Sequence, residues 1–167
     1  MPTSPSNEEH FSRLMAFTRE VLRACDEAGV APILDGGLAV FAYTREPGLE
    51  VRDVDFGCPE SDLPRLQDAL QRRGIHAEIR SWHVLQARRD DLKVEFGAVE
   101  HWNRGIPDHH ERIRIAGIEF RVINVDGLRE QYRRGVANTA EGAVDSDPVK
   151  HRASSEKLRL LDAMGAP

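Results

Sequence analysis

Asp53 and Asp55 flank Val54 within a stretch, Val51 to Gly57, that reads as a β-strand. Residues two apart on a strand point to the same face, so both carboxylates project together while Val54 and Phe56 pack on the other side. Two adjacent carboxylates repel each other where water is scarce. A divalent cation offsets that repulsion, and hard oxygen donors suit magnesium or manganese. A half-exposed strand whose polar face is acidic gives the same pattern without a metal, so the pair alone does not decide. Glu95 is a single acid between Val94 and Phe96 in a second strand-like run, and on its own it reads equally well as a solvent-facing residue. Gly36 and Gly37 follow Leu34-Asp35 at a junction between an apolar run and a helical one. Glycines there let the backbone approach a ligand closely, and the amides of a following helix N-terminus favour phosphate. A tight turn without a ligand fits the same residues.

Other candidates carry less. His101, His109 and His110 with Glu100 and Asp108 match no zinc-ligand spacing and read as a polar loop. Arg88 and Arg89 fit a triphosphate contact or a solvated turn equally well. Trp82 and Trp102 default to core packing over stacking on a ligand ring. Cys25 and Cys58 lack a CxxC spacing and read as buried, reduced thiols.

The elements that must position these residues follow from hydrophobic spacing. Residues 1–5 read as a loose tail, and Ser6 with Glu9 suggests a capping box. Phe11, Leu14, Met15, Val21, Leu22 and Cys25 recur at helical spacing, with Gly29 as the stop. Ala31 to Leu34 reads as a buried strand and Leu38 to Tyr43 as a short buried helix. A helix capped by Ser61 or Asp62 ends at Gly74. Three strand-like runs follow, at 75–80, 82–88 and 92–99, with Asp90-Asp91 as a tight turn. A hairpin turns around Gly117. Asp126 caps a helix to about Arg134, 135–148 reads as a loop, and 149–164 as a final helix. The order predicts an α/β (α+β) domain with a mixed sheet and flanking helices, one face of the sheet covered by them.

The 167 residues suit one domain, 1–167, whose last part, 126–167, is helical. Acidic residues outnumber basic ones, 28 to 23, which disfavours nonspecific nucleic-acid binding because no net positive field releases counterions. No apolar run reaches the length of a membrane span, and the polar start lacks the apolar stretch of a signal peptide, so the expected compartment is the cytoplasm.

Gly36-Gly37, fifteen intervening residues, Asp53-x-Asp55 on a strand and Glu95 on a later strand together resemble the nucleotidyltransferase superfamily that includes polymerase beta. The resemblance is strongest to the small lincosamide- and aminoglycoside-type enzymes. It spans roughly residues 30 to 164, with only the three motif blocks specific; the third acid is Glu where many relatives have Asp. It implies that Asp53, Asp55 and Glu95 bind two magnesium ions, with manganese as an alternative. It implies that Gly36 and Gly37 hold a nucleoside triphosphate, with Arg52 before the acid pair and Lys150 before the last helix as further contacts. The reaction implied is transfer of a nucleoside monophosphate, AMP by default, from ATP to a hydroxyl of a small molecule such as an antibiotic, with Glu95 as metal ligand, proton acceptor or both. The chain is short for such an enzyme, so the acceptor site is expected to be open or completed by a second subunit in a homodimer. Two other readings stand beside it: a toxin-like transferase acting on tRNA or protein, with Arg72, Arg73, Arg80, Arg88 and Arg89 as a basic surface, and a nucleotide-binding module without turnover.

Overall fold

The computed structural model describes residues 4–106 and 109–164. Helix α1 (Glu8–Ala28) buries Phe11, Leu14, Met15, Phe17, Val21 and Cys25 along one stripe and stops at Gly29, whose positive φ of 68° closes the helix. The expected capping box does not form. Ser6 Oγ instead donates to the Leu49 carbonyl, and Asn7 bonds Val51 through both its amide groups. The start of α1 is thereby tied to the segment leading into the acid pair, and Pro5 is buried rather than loose.

Strand β1 (Ile33–Asp35) runs straight into α2 (Gly36–Thr44), which buries Leu38 through Ala42. Strand β2 is Val54–Cys58, shorter at its start than expected. After a 3-10 turn, Glu60–Asp62, comes α3 (Leu63–Arg72), then β3 (His76–Arg80), β4 (Val84–Arg89) and β5 (Leu92–Ala98). Neither Ser61 nor Asp62 caps α3 through its side chain. A short helix α4 (Val99–Trp102) precedes the hairpin β6 (His110–Ile115) and β7 (Ile118–Ile123), which turns at Ala116-Gly117 with φ positive at both.

Helix α5 (Val125–Thr139) is longer than its spacing suggested, and its cap is Asn124, which accepts from the Gly127 N–H, rather than Asp126. The extra turns take up part of the expected 135–148 loop because Tyr132 and its neighbours pack against α6 (Pro148–Met164).

The seven strands form one mixed sheet in the order β3-β4-β5-β2-β1-β7-β6. The central pair β2–β5 is parallel, as is β1–β7, and β1–β2 is antiparallel. Strand β5 alternates strictly: Leu92, Val94, Phe96 and Ala98 are buried, and Lys93, Glu95 and Gly97 are half-buried. Val54 and Phe56 continue the apolar face on β2, with Phe56 stacked on Phe96 at 5.2 Å and near Phe120 at 6.2 Å. Helices α1 and α3 pack together, α1 against β5 and α3 against β3, while α2, α5 and α6 form a second group beside β1 and β2. The alternation that fills the core therefore turns the acidic residues of β2 and β5 to the opposite face.

Candidate active site

The parallel register sets Asp55 directly beside Glu95, with Val54 beside Val94 and Phe56 beside Phe96. The antiparallel register of β1 sets Asp35 opposite Asp55. Asp53 lies just before β2 on the same side. Four carboxylates thus gather around the end of the central strands. Asp35 is the one sequence reasoning missed. It stood beside the quoted glycines, yet as an acid ending an apolar run it gave no period-two signal of its own.

Burial sets the electrostatics. Burial first, then the charges of Asp35, Glu95 and Asp53, pushes Asp55 up to about 8, with Lys93 opposing. Burial also lifts Asp35 to about 6, opposed by hydrogen bonds from Asn103 and Gln131. Asn103 Nδ2 lies 3.3 Å from Asp35 Oδ2, and Gln131 Nε2 in turn donates to Asn103 Oδ1. The residue that ends α4 and a side chain of α5 therefore orient a carboxylate that β1 supplies.

Lys93 is the internal counter-charge. Its ammonium stands 3.2 Å from Glu95 Oε1 and 3.6 Å from Asp53 Oδ2. Burial pulls its pKa down, but Asp53 and Glu95 outweigh that and raise it. Lys93 is two residues from Glu95 on one strand and so must share its face; that was the available signal. Gln86, buried opposite Glu95, donates to Glu95 Oε2 at 2.9 Å and is itself held by Arg80 and Arg88. Arg88 is accounted for there, and Arg89 pairs with Glu20.

The glycines close the other side. Gly36 has φ of 65°, and a Cβ at that position would sit 2.5 Å from Asp55 Oδ2. Only glycine fits both the backbone and the acid. The Gly36 N–H points to Gln131 Oε1 at 3.5 Å. A Cβ at Gly37 would meet the Lys157 side chain at 3.8 Å. Lys157 is half-buried beside the Tyr132 ring; burial lowers its pKa and Asp55 opposes that. Burial, with Asp55 and Asp35, raises the Tyr132 hydroxyl.

Two expected contacts lie elsewhere. Arg52 is exposed and pairs with Glu50 at 2.8 Å, and Lys150 is exposed on the first turn of α6. Neither lines the cleft. The lysine of α6 that faces Gly37 is Lys157, two turns further on. The two cysteines are buried and unpaired, and burial pushes the Cys58 thiol up to about 12, as befits inert core residues.

The cleft over Asp35, Asp55 and Glu95 has a volume of about 390 Å³. Its far wall is made by Trp82 and Trp102, half exposed rather than in the core, with Trp102 Nε1 donating to the Trp82 carbonyl at 3.1 Å. Tyr132, Gly135 and Ser154 close it from α5 and α6.

All-oxygen donors on one face suit a hard divalent cation, and the four acids outnumber the two lysines near them, Lys93 and Lys157. The acids do not close on one point. Among the described residues, only Glu60, His83 and His101 bring three ligand atoms within 4.8 Å of one another. His101 is therefore in a cluster with His83 and not with His109 and His110, whose expected companion Asp108 lies outside the described residues.

No family model matches the chain, and no curated protein matches it in sequence. Solved structures do match in shape. The antibiotic-resistance factor ANT(2'')-Ia superposes with a TM-score of 0.63 at 19% identity, covering 91% of this chain and 90% of that one. The lincosamide antibiotic adenylyltransferase LnuA, solved with lincomycin bound, gives 0.56 at 13% identity over 88% and 95%. A putative nucleotidyltransferase from Thermotoga maritima gives 0.56 at 13% identity over 89% and 91%. Nearly the whole chain is shared with each of them, sheet and helices together, and the chain has the nucleotidyltransferase fold.

Proposed function

We propose that the protein is a magnesium-dependent nucleotidyltransferase that moves a nucleoside monophosphate, AMP from ATP by default, to a hydroxyl of a small antibiotic-like molecule. The observation that carries this reading is the register that sets Asp55 beside Glu95 and opposite Asp35, with Gly36 pressed against the Asp55 carboxylate. A fold can persist without its chemistry; the acids gathered on one face of β1, β2 and β5 support the catalytic reading over that one.

Asp53, Asp55 and Glu95 would hold the magnesium ions, which when bound supply charge stabilisation for the entering and leaving oxygens. The first-turn amides of α2 at Gly36 and Gly37, together with Lys157, would bind the triphosphate. The acceptor hydroxyl oxygen forms a bond to the α-phosphorus as the bond from that phosphorus to the pyrophosphate oxygen breaks, and pyrophosphate leaves. Glu95, fixed by Gln86, takes the hydroxyl proton. Trp82 and Trp102 offer flat apolar surface for the acceptor at the cleft rim. Two of the similar structures were solved with an adenylylated aminoglycoside, adenylyl-2''-tobramycin, and with lincomycin, which supports an acceptor of that size. A net charge of −5 favours a cationic acceptor over tRNA.

The test is incubation with magnesium, each of the four α-labelled nucleoside triphosphates, and a panel of aminoglycosides, lincosamides, tRNA and protein. A labelled small molecule with release of pyrophosphate is expected. Label only on tRNA or protein would move the reading to a macromolecular transferase. No nucleotide bound with magnesium or manganese would end the enzyme reading.

A further inference from the structure

We propose a second metal site, for a borderline-soft divalent ion of the zinc, nickel or copper class, formed by Glu60, His83 and His101 at the rim of the cleft. The three residues come from separate segments: the 3-10 turn after β2, the turn into β4, and α4. His83 Nδ1 lies 2.7 Å from Glu60 Oε1, and His101 Nε2 lies 2.9 Å from Glu60 Oε2. The two imidazole rings are nearly parallel, at 5°, with centroids 3.5 Å apart. One carboxylate thus meets a ring nitrogen of each histidine, one at each of its oxygens.

Ligand atoms about 2.0–2.2 Å from a shared zinc ion lie roughly 3.3 Å from one another in a tetrahedron. The atoms here all lie within 4.8 Å, so shifts on the order of an ångström bring them to that spacing, and the two stacked rings must also turn out of parallel, because each nitrogen lone pair lies in its own ring plane. The chemistry distinguishes this site from the acid cluster. Two imidazoles and one carboxylate prefer zinc, nickel or copper over magnesium, whereas Asp53, Asp55 and Glu95 offer oxygen alone. Binding needs neutral imidazoles. Each ring keeps one proton, moved to the nitrogen that does not face the ion, so the change at a neutral ring is one of tautomer.

Surrounding contacts hold the ligands in place. The Glu60 N–H donates to the Glu100 carboxylate at 3.1 Å. His83 has φ of 63°, unusual for a non-glycine residue, and its N–H and carbonyl are bonded to Arg80 and Ala98. Side chains of the three residues are about two-fifths exposed, which leaves an ion room to enter and to keep water as a fourth ligand.

The position gives the site a consequence. His83 follows Trp82 and His101 precedes Trp102, and these two tryptophans form the far wall of the cleft. An ion at the three ligands would cross-link their segments and fix the aromatic rim. The inference does not depend on the reaction proposed above, since it concerns different ligands and a different class of ion.

The chain contains two tryptophans, Trp82 and Trp102, so its indole fluorescence reports on this rim alone. Tag-free protein, stripped with chelator, is titrated with nickel while that fluorescence is followed. Zinc affinity is measured in parallel by competition with a chromophoric chelator. One equivalent of zinc and saturable quenching by nickel are expected, unaffected by excess magnesium. His101→Ala and His83→Asn, the latter chosen because asparagine tolerates a positive φ, should each weaken zinc binding at least tenfold with unchanged circular dichroism. Substituting His109 and His110 together should leave it intact. Equal zinc affinity in the wild type and both single variants overturns the proposal, as does magnesium competing at equal concentration.

Discussion

Asp35 and Asp55 stand opposite each other across the antiparallel β1–β2 pair, Asp35 buried and Asp55 half-buried, and among the described residues neither makes an ion pair, with Lys93 and Lys157 acting on Asp55 only from beyond contact. The fold therefore holds two acids at a place where their charges are costly, and this is the feature from which the pH behaviour of the protein follows.

An unfolded aspartate titrates near 4, whereas Asp55 in the fold is pushed up to about 8 and Asp35 to about 6. The folded state keeps protons that the unfolded chain has already lost. Their stabilising contribution is complete below about pH 4 and is lost as pH rises through 6 and then 8. Metal-free protein should lose thermal stability between pH 5 and 8, by up to about 1.4 kcal/mol per pH unit for each group titrating. Asp55→Asn should flatten that slope and raise the midpoint at pH 8 on the order of 5 °C, while magnesium should do the same for the wild type. Thermal melts across pH, with and without magnesium, read this directly. A wild-type protein more stable at pH 8 than at pH 5 without metal would contradict it.

Gly36→Ala places a Cβ 2.5 Å from Asp55 Oδ2 on a backbone with positive φ. The expected cost is about 1–3 kcal/mol of stability from the strained conformation, with nucleotide transfer reduced at least a hundredfold. Gly29→Ala also has a positive φ but open space around it, so it should cost stability and leave transfer intact. Comparing the two by melts and by kcat/KM separates backbone strain from displacement of the acid.

Lys157 and Lys150 are on the same helix, and only the first faces Gly37. Lys157→Ala should raise the KM for the triphosphate about tenfold, the loss of one charge-assisted contact. Lys150→Ala should change it by less than about twofold, as expected of an exposed charge outside the cleft. Steady-state kinetics on both variants decide between them.

Glu95→Gln keeps the side chain's length but neither its charge nor its capacity to take a proton. Transfer should fall at least a thousandfold, on the order of 4 kcal/mol of transition-state stabilisation. Melting temperature should fall by no more than a few degrees, because the amide oxygen still accepts from one of the two donors, Lys93 and Gln86, and only the other loses its partner. Stopped assays over pH 6 to 9 should show no recovery at high pH.

The sequence was most informative where one periodicity ruled. Alternation in 92–98 gave the strand, its buried face and the side on which Glu95 falls, and the α1 stripe was equally plain. Registry was not legible. That Asp35 faces Asp55, that Lys93 bridges Asp53 and Glu95, and that Lys157 rather than Lys150 reaches Gly37 all depend on which strands and helices are neighbours. The caps misled for a related reason: Ser6 and Asp126 had the right residue types, but Ser6 found a partner in the Leu49 carbonyl and Asn124 took the cap of α5. The histidine cluster joined residues at 60, 83 and 101, too far apart in sequence for any spacing rule to link.

The central claim is that Asp53, Asp55 and Glu95 bind a nucleotide through divalent metal. Calorimetric titration of ATP into the wild-type protein and into Asp53→Asn and Asp55→Asn, each with magnesium and with chelator, tests it most directly. The account predicts binding by the wild type with magnesium, at least tenfold weaker without it, and loss of the magnesium dependence in both variants. ATP binding that is equal in all three proteins, or indifferent to metal in the wild type, would contradict it.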